Sequence, residues 1–127
     1  MRVTVRAAGA ADAGTVWQRY VRTAAWPSWS PQIRAVEAED ELRAGMRGQV
    51  VPVLGPRVDF VVDAVDPEAL TWRWRVRVGP VRMSLWHAVR PRTPSGATTE
   101  LVIDGSAPVV LAYTPLARLA LRRLVRP

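Results

Sequence analysis

Between residues 57 and 105 the chain alternates apolar and polar positions with a period of two, the pattern of half-buried antiparallel strands. On 69–78 one face holds Leu70, Trp72, Trp74, Val76 and Val78, and the other Thr71, Arg73, Arg75 and Arg77. On 57–65 the inward set is Val58, Phe60, Val62 and Ala64, which leaves Arg57, Asp59 and Asp63 outside. On 81–90 it is Val81, Met83, Leu85, His87 and Val89, and on 97–105 it is Thr99, Leu101 and Ile103. Turn chemistry at Asp66-Pro67-Glu68, Gly79-Pro80 and Pro91 to Gly96 separates these runs. Weaker patterns predict strands at 33–40 and 47–54, and the alternation from Arg2 to Arg6 predicts a first strand.

The helical period appears twice. Val16, Trp17, Tyr20, Val21 and Ala24 share one face of a helix over 13–24, with Asp12 placed to cap it and Pro27 to end it. Trp26 to Ile33 reads as a second, short helix or turn. Residues 107–126 form the last helix, with Pro108 near its start and Pro115 predicting a kink or break. On it Thr114, Arg118, Arg122 and Arg126 recur every four residues, and apolar side chains, among them Leu111, Leu116 and Leu119, occupy the rest. The order is β-α-β(several)-α.

Hairpin closure turns these faces into pairs. Pairing around Gly79-Pro80 sets Val76 opposite Met83, Trp74 opposite Leu85 and Trp72 opposite His87. On the outer face it sets Arg73 against Trp86 as a cation–π pair. Pairing around Asp66-Pro67 sets Asp59 against Arg75. A sheet with one such apolar face needs a cover, and the last helix is the only long element left.

One stretch is more individual than the rest. The helical face from Val16 to Ala24 is followed at once by Trp26-Pro27-Ser28-Trp29, then Ile33 and Val36, then Leu42, Gly45 and Gly48. This resembles the opening of the polyketide cyclase/dehydrase and lipid-transfer proteins, the superfamily that includes START domains and the birch-pollen-allergen fold. The resemblance covers almost the whole chain. It implies an α+β helix-grip fold in one domain, a curved antiparallel sheet wrapped around the C-terminal helix, with an internal apolar cavity between them. It also implies a small hydrophobic ligand, polyketide, aromatic or lipid-like. Aromatic cyclases of this superfamily fold a poly-β-keto chain and promote its closure and dehydration, and an acyl carrier protein is then a candidate partner. The chain is short for such a cyclase, and every strand arginine reads as outward.

Composition narrows the chemistry. At 127 residues the chain is long enough for one core and too short for two. It has no cysteine and a single histidine, which excludes thiolate catalysis and argues against a transition-metal site. No cofactor is expected. The first residues carry no long apolar run, so no signal peptide is expected, no window is long enough to span a bilayer, and a cytoplasmic protein is the reading. All 18 basic residues are arginine, and the net charge is +7. With the Ala, Arg, Pro and Val richness, this points to a high-GC bacterial genome. Residues 71–127 carry ten Arg against Glu100 and Asp104. The strand arginines alternate with inward indoles and share their face with Asp59 and Asp63, which argues against a nucleic-acid platform. A helix needed to cover the sheet cannot also bury its apolar side in lipid. Monomer and homodimer both stay open.

Candidate site residues follow from the inward faces. His87 is the only imidazole, and burial beside Trp72 disfavours its charged form. It is either a hydrogen-bonded core histidine or the general acid–base of the cavity. Trp72, Trp74, Met83, Leu85, Tyr113, Trp29 and Tyr20 are the candidate ligand-binding residues, with Tyr20 and Tyr113 as donors to a ligand carbonyl. Nucleotide-binding glycine loops, a hydrolase nucleophile elbow and a metalloprotease helix are absent. Two functions compete: cofactor-free cyclisation with His87 as proton shuttle, and a non-catalytic carrier or sensor of a lipid, quinone or aromatic metabolite. A third possibility is a structural protein whose core is full.

Overall fold

The computed structural model describes all 127 residues. Seven antiparallel strands form one sheet in the order β1-β7-β6-β5-β4-β3-β2. Their bounds are β1 Arg2–Gly9, β2 Ile33–Glu37, β3 Arg47–Pro52, β4 Val58–Asp66, β5 Thr71–Val78, β6 Val81–Pro91 and β7 Ala97–Gly105. Helix α1 spans Ala13–Val21, α2 Trp26–Trp29 and α3 Ala107–Leu124. This is the expected α+β helix-grip arrangement, with α3 over the inward face of the sheet. No helix is long and apolar enough to cross a membrane.

The central hairpin folds as its alternation dictates. Val76 faces Met83, Trp74 faces Leu85 and Trp72 faces His87, while His87 faces Leu101 on the other side. Gly79 takes a φ of +57° at the first position of the two-residue turn, where a side chain would be strained. Trp72, Trp74, Leu85, His87, Leu101 and Ile103 are all buried, and Arg73, Arg75 and Arg77 are exposed.

The β4–β5 hairpin departs from the simple register. Thr71 pairs with Asp66, so Pro67 to Leu70 form a wider turn, and Leu70 leaves the strand with a φ of +55°. A bulge between Val62 and Ala64 then absorbs one residue of β4. Asp59 therefore faces Arg77, not Arg75, and Arg75 instead clamps Asp63 through Nε and Nη2 at 2.9–3.1 Å. The same bulge brings Val65, rather than Ala64, to the partner position of Trp72 and into the core. On the outer face Arg73 is opposite Trp86, yet the guanidinium over that indole belongs to Arg2, 5.5 Å from the ring centroid. Arg2 reaches it across β7 from the edge strand.

Helix α1 begins at Asp12, whose Oδ1 accepts the Thr15 N–H at 2.7 Å. It ends at Val21, well before Pro27, because its last carbonyls have other partners. Trp29 Nε1 donates to the Arg19 carbonyl at 3.1 Å and Trp26 Nε1 to the Tyr20 carbonyl at 2.8 Å. Leu42 N–H takes the Val21 carbonyl at 2.8 Å. The Trp-Pro-Ser-Trp turn is thus a side-chain cap for the C-terminus of α1. Pro27 lies in the first turn of α2, where its missing N–H costs nothing.

Helix α3 runs through Pro115 without a break; the Thr114 hydroxyl donates to the Val110 carbonyl at 2.7 Å one turn before it. Its buried face is Val110, Ala117, Ala120, Leu121 and Leu124. Leu111, Leu116 and Leu119 were expected inside but are 57%, 42% and 41% exposed. One helix cannot point its whole circumference at one sheet, so the leucines opposite the covered stripe face outward. Its C-terminal end docks tightly on β1: the Val125 carbonyl accepts from Ala11 N–H, and a Cβ on Gly9 would lie 2.2 Å from that oxygen. Arg19 Nη1 donates to the Leu124 and Arg126 carbonyls at 2.7 and 2.6 Å, tying α1 to the same end.

Candidate functional site

Between the sheet and α3 lies a pocket of about 220 Å³, eighteen of whose twenty-three lining residues are hydrophobic. Each element contributes through its inward period. Strand β5 gives Trp72, Trp74 and Val76, and β6 gives Met83, Leu85 and His87. Helix α3 offers Tyr113 and the small Ala117 and Ala120, whose short side chains leave room beneath the helix. Trp26 and Trp29 close one end. Arg77 is the only charged side chain in the lining.

Of the residues expected from sequence to form the site, Trp72, Trp74, Met83, Leu85, Tyr113, Trp29 and His87 all line this pocket. Tyr20 does not; it is fully buried behind His87, and its hydroxyl is already engaged. Sequence reasoning did not reach Gln32, nor the far wall made by Ile33, Val50, Pro52 and Val58. Gln32 sits in a turn with no periodicity to mark it. Thr99 was on the inward face, and that lone polar position in an apolar phase was the available sign of a buried polar network.

That network fixes the state of His87. Trp74 Nε1 carries a hydrogen and has no lone pair to offer, so its 3.1 Å contact with His87 Nε2 makes Nε2 the acceptor. The proton of the neutral ring is then on Nδ1, which donates to the Tyr20 oxygen at 3.1 Å. Tyr20 passes its own proton to Thr99 Oγ1 at 3.0 Å, and Thr99 reaches the Ala88 carbonyl at 3.3 Å. Every donor in this series of four residues meets an acceptor. The imidazole is also stacked on Trp72, with ring centroids 4.2 Å apart and planes 7° apart. Burial without a counter-charge pushes the His87 pKa down to about 3, so the ring is neutral at physiological pH. Burial likewise raises the Tyr20 phenol, and raises Tyr113 to about 12, with Gln32 beside Tyr113 drawing it partly back.

Two polar atoms stand outside any such network. Trp72 Nε1 and Gln32 Oε1 are shut from solvent and have no hydrogen-bond partner. No group of His, Cys, Asp and Glu side chains is arranged to hold a metal ion.

The fold has relatives of known structure. The crystal structure of Ara h 8.0201 superposes with a TM-score of 0.77 at 11% identity, covering 98% of this chain and 94% of that one. The di-domain ARO/CYC BexL from the BE-7585A biosynthetic pathway superposes at 0.82 with 20% identity; 98% of this chain matches 45% of that one, so this chain spans just under half of it. A protein from Nitrosospira multiformis gives 0.82 at 16% identity, covering 98% and 94%. No curated protein sequence matches the chain. The family model described as polyketide cyclase / dehydrase and lipid transport matches residues 1–127, and the chain belongs to that family.

Proposed function

We propose that this protein binds one small, largely apolar ligand, polyketide, aromatic or lipid-like, in the pocket beneath α3, and holds it without acid–base chemistry by His87. The observation that carries this reading is the pocket itself. Its walls are apolar, and its volume of about 220 Å³ is on the scale of the ~150 Å³ apolar cavity that holds one benzene. That is room for a ligand of one or two rings. Apolar surface removed from water supplies affinity at roughly 25 cal/mol per Å² before the costs of association are met.

The hydrogen bonds of His87 favour holding over reacting. A general base needs a free lone pair within reach of the substrate. The lone pair of Nε2 receives the Trp74 N–H, and the Nδ1 proton is directed at Tyr20, away from the pocket.

Cyclisation of a poly-β-keto chain in the same pocket is the second reading. The description of the matched family and the likeness to an ARO/CYC protein favour it. In that case an acyl carrier protein would deliver the chain, and His87 would have to release Trp74 during turnover.

Titration with the neutral two-ring fluorophore 1-naphthol tests the binding reading. One site per chain is expected, with quenching of tryptophan emission, and Ala117→Leu should weaken it by filling the pocket from the helix side. Absence of saturable binding, or binding indifferent to Ala117→Leu, overturns it. Product formation from a poly-β-keto substrate, reduced about 10²–10⁴-fold in His87→Gln, would put cyclisation first.

A further inference from the structure

We infer that the outward face of α3 is a docking surface for an anionic lipid membrane, to which the protein binds reversibly and without spanning it. The inference goes beyond the pocket reading and does not depend on what the pocket holds.

The sequence pattern assigned α3 a single apolar side, committed to the sheet. The structure leaves it a second. Leu111, Ala112, Pro115, Leu116 and Leu119 are all exposed, the three leucines at 57%, 42% and 41%. Steps of three and four residues join them into two adjacent rows on the helix surface. One row runs Leu111, Pro115, Arg118, Arg122, and the other Ala112, Leu116, Leu119, Arg123. Both rows begin apolar and end basic, so the face is a continuous apolar strip that ends in cations. Single exposed leucines are ordinary on a protein surface, but a contiguous strip marks an interaction site.

The charges choose the partner. Arg118, Arg122 and Arg123 take part in none of the ion pairs of the molecule. From Ser106 to Pro127 the chain has no acidic residue, and Asp104 is already engaged by Arg2 at 3.4 Å. A second copy of this chain is therefore a poor cover. Packed parallel, two such helices set these arginines against one another. Packed antiparallel, they set them against Leu111 and Ala112, and neither arrangement supplies a counter-charge. The face is also the convex back of one helix, which a soft lipid interface receives without a preformed groove. There the leucines enter the acyl boundary, and the arginines lay their stems along it with guanidiniums on lipid phosphates. The net charge of +7 adds long-range attraction to an anionic surface.

Sedimentation with vesicles tests this, using phosphatidylcholine alone and an equal mixture with phosphatidylglycerol. The native protein should bind the mixed vesicles about tenfold or more tighter than the neutral ones, and salt on the order of 0.5 M should release it. Arg118→Gln with Arg122→Gln should weaken binding about 30-fold, from about fivefold for each arginine near the surface. Leu111→Ser with Leu119→Ser should weaken it about tenfold at unchanged net charge. Arg73→Gln with Arg82→Gln removes the same charge from exposed positions on the outer face of the sheet, and should weaken it no more than about threefold. An equal loss in the two arginine pairs, or none in the leucine pair, overturns the assignment to α3. If the leucine pair does not fold, the native protein still answers. Lipid with a nitroxide on the upper acyl chain should broaden the methyl resonances of Leu111 and Leu119, and leave Val102, on the outer face of the sheet, sharp; equal broadening overturns the inference. So does a failure to bind either vesicle. A dimer that the leucine substitutions dissolve would overturn it by giving the face to a second copy. Capture of polyglutamate without vesicle binding would overturn it by giving the face to an acidic protein.

Discussion

Trp74 donates its indole N–H to Nε2 of His87, across the β5–β6 hairpin, at 3.1 Å. This single contact sets the tautomer of the only histidine, because it leaves Nδ1 to carry the proton and Tyr20 to receive it. The imidazole is held neutral and stacked on Trp72, with both ring nitrogens engaged.

A first consequence is a pH dependence of stability. In the folded protein His87 titrates near pH 3, and in the unfolded chain near the ordinary value of about 6.5. Below pH 6.5 the unfolded chain binds a proton that the folded one refuses, so stability falls with pH through the window from 6.5 towards 3. The slope from His87 fades over about one pH unit above 6.5. Between pH 6.5 and 4.5 the loss should be about 2–3 kcal/mol. Denaturant unfolding of the native protein and His87→Gln across this window checks it; equal slopes in the two proteins would remove the assigned cause.

Tyr20→Phe should separate the network from the pocket. The change strips the acceptor from His87 Nδ1 and the donor from Thr99, which should cost about 1–3 kcal/mol in stability. Tyr20 does not line the pocket, so fluorophore affinity per folded molecule should stay within about twofold. A large affinity loss without loss of stability would place Tyr20 in the ligand site after all.

Trp26→Phe probes the capping role of the Trp-Pro-Ser-Trp turn. Phenylalanine keeps the ring but leaves the buried Tyr20 carbonyl without its donor at the end of α1. A stability loss of about 1–3 kcal/mol is expected, with amide exchange in the last turn of α1 accelerated more than in β6. Uniform protection changes would argue for lost core packing instead.

Gly9→Ala tests the seat of the last helix. A methyl there would meet the Val125 carbonyl at 2.2 Å, and backbone on both sides cannot yield as a side chain tip would. Thermal unfolding should show one of the larger losses available from adding a single carbon, above the about 1–3 kcal/mol usual for overpacking. Gly14→Ala, where the nearest atom is 3.5 Å away, should be close to neutral or stabilising in the helix.

The sequence by itself determined the two-residue periods, and with them which side chains face inward. Trp72, Trp74, Leu85, His87 and Leu101 reach one face because successive residues of a strand point to opposite sides, a local rule that needs no partner. The Gly79-Pro80 turn is short enough that its register is also local, so the pairing of Trp72 with His87 was readable. The helix-grip outline followed from the opening motif and from the need to cover one apolar face. Tertiary structure decided the rest, because each remaining point depends on atoms distant in the chain. The bulge in β4 moved Arg75 from Asp59 to Asp63 and exchanged Ala64 for Val65, and no residue in the run announces it. The end of α1 is set by indoles and an amide from later segments, not by Pro27. Which leucines of α3 face water depends on where the sheet touches that helix. The neutral, fully bonded state of His87 needs Trp74 and Tyr20 about 3 Å from its two ring nitrogens and Thr99 about 3 Å from Tyr20, a convergence of three other elements that periodicity along one chain does not encode.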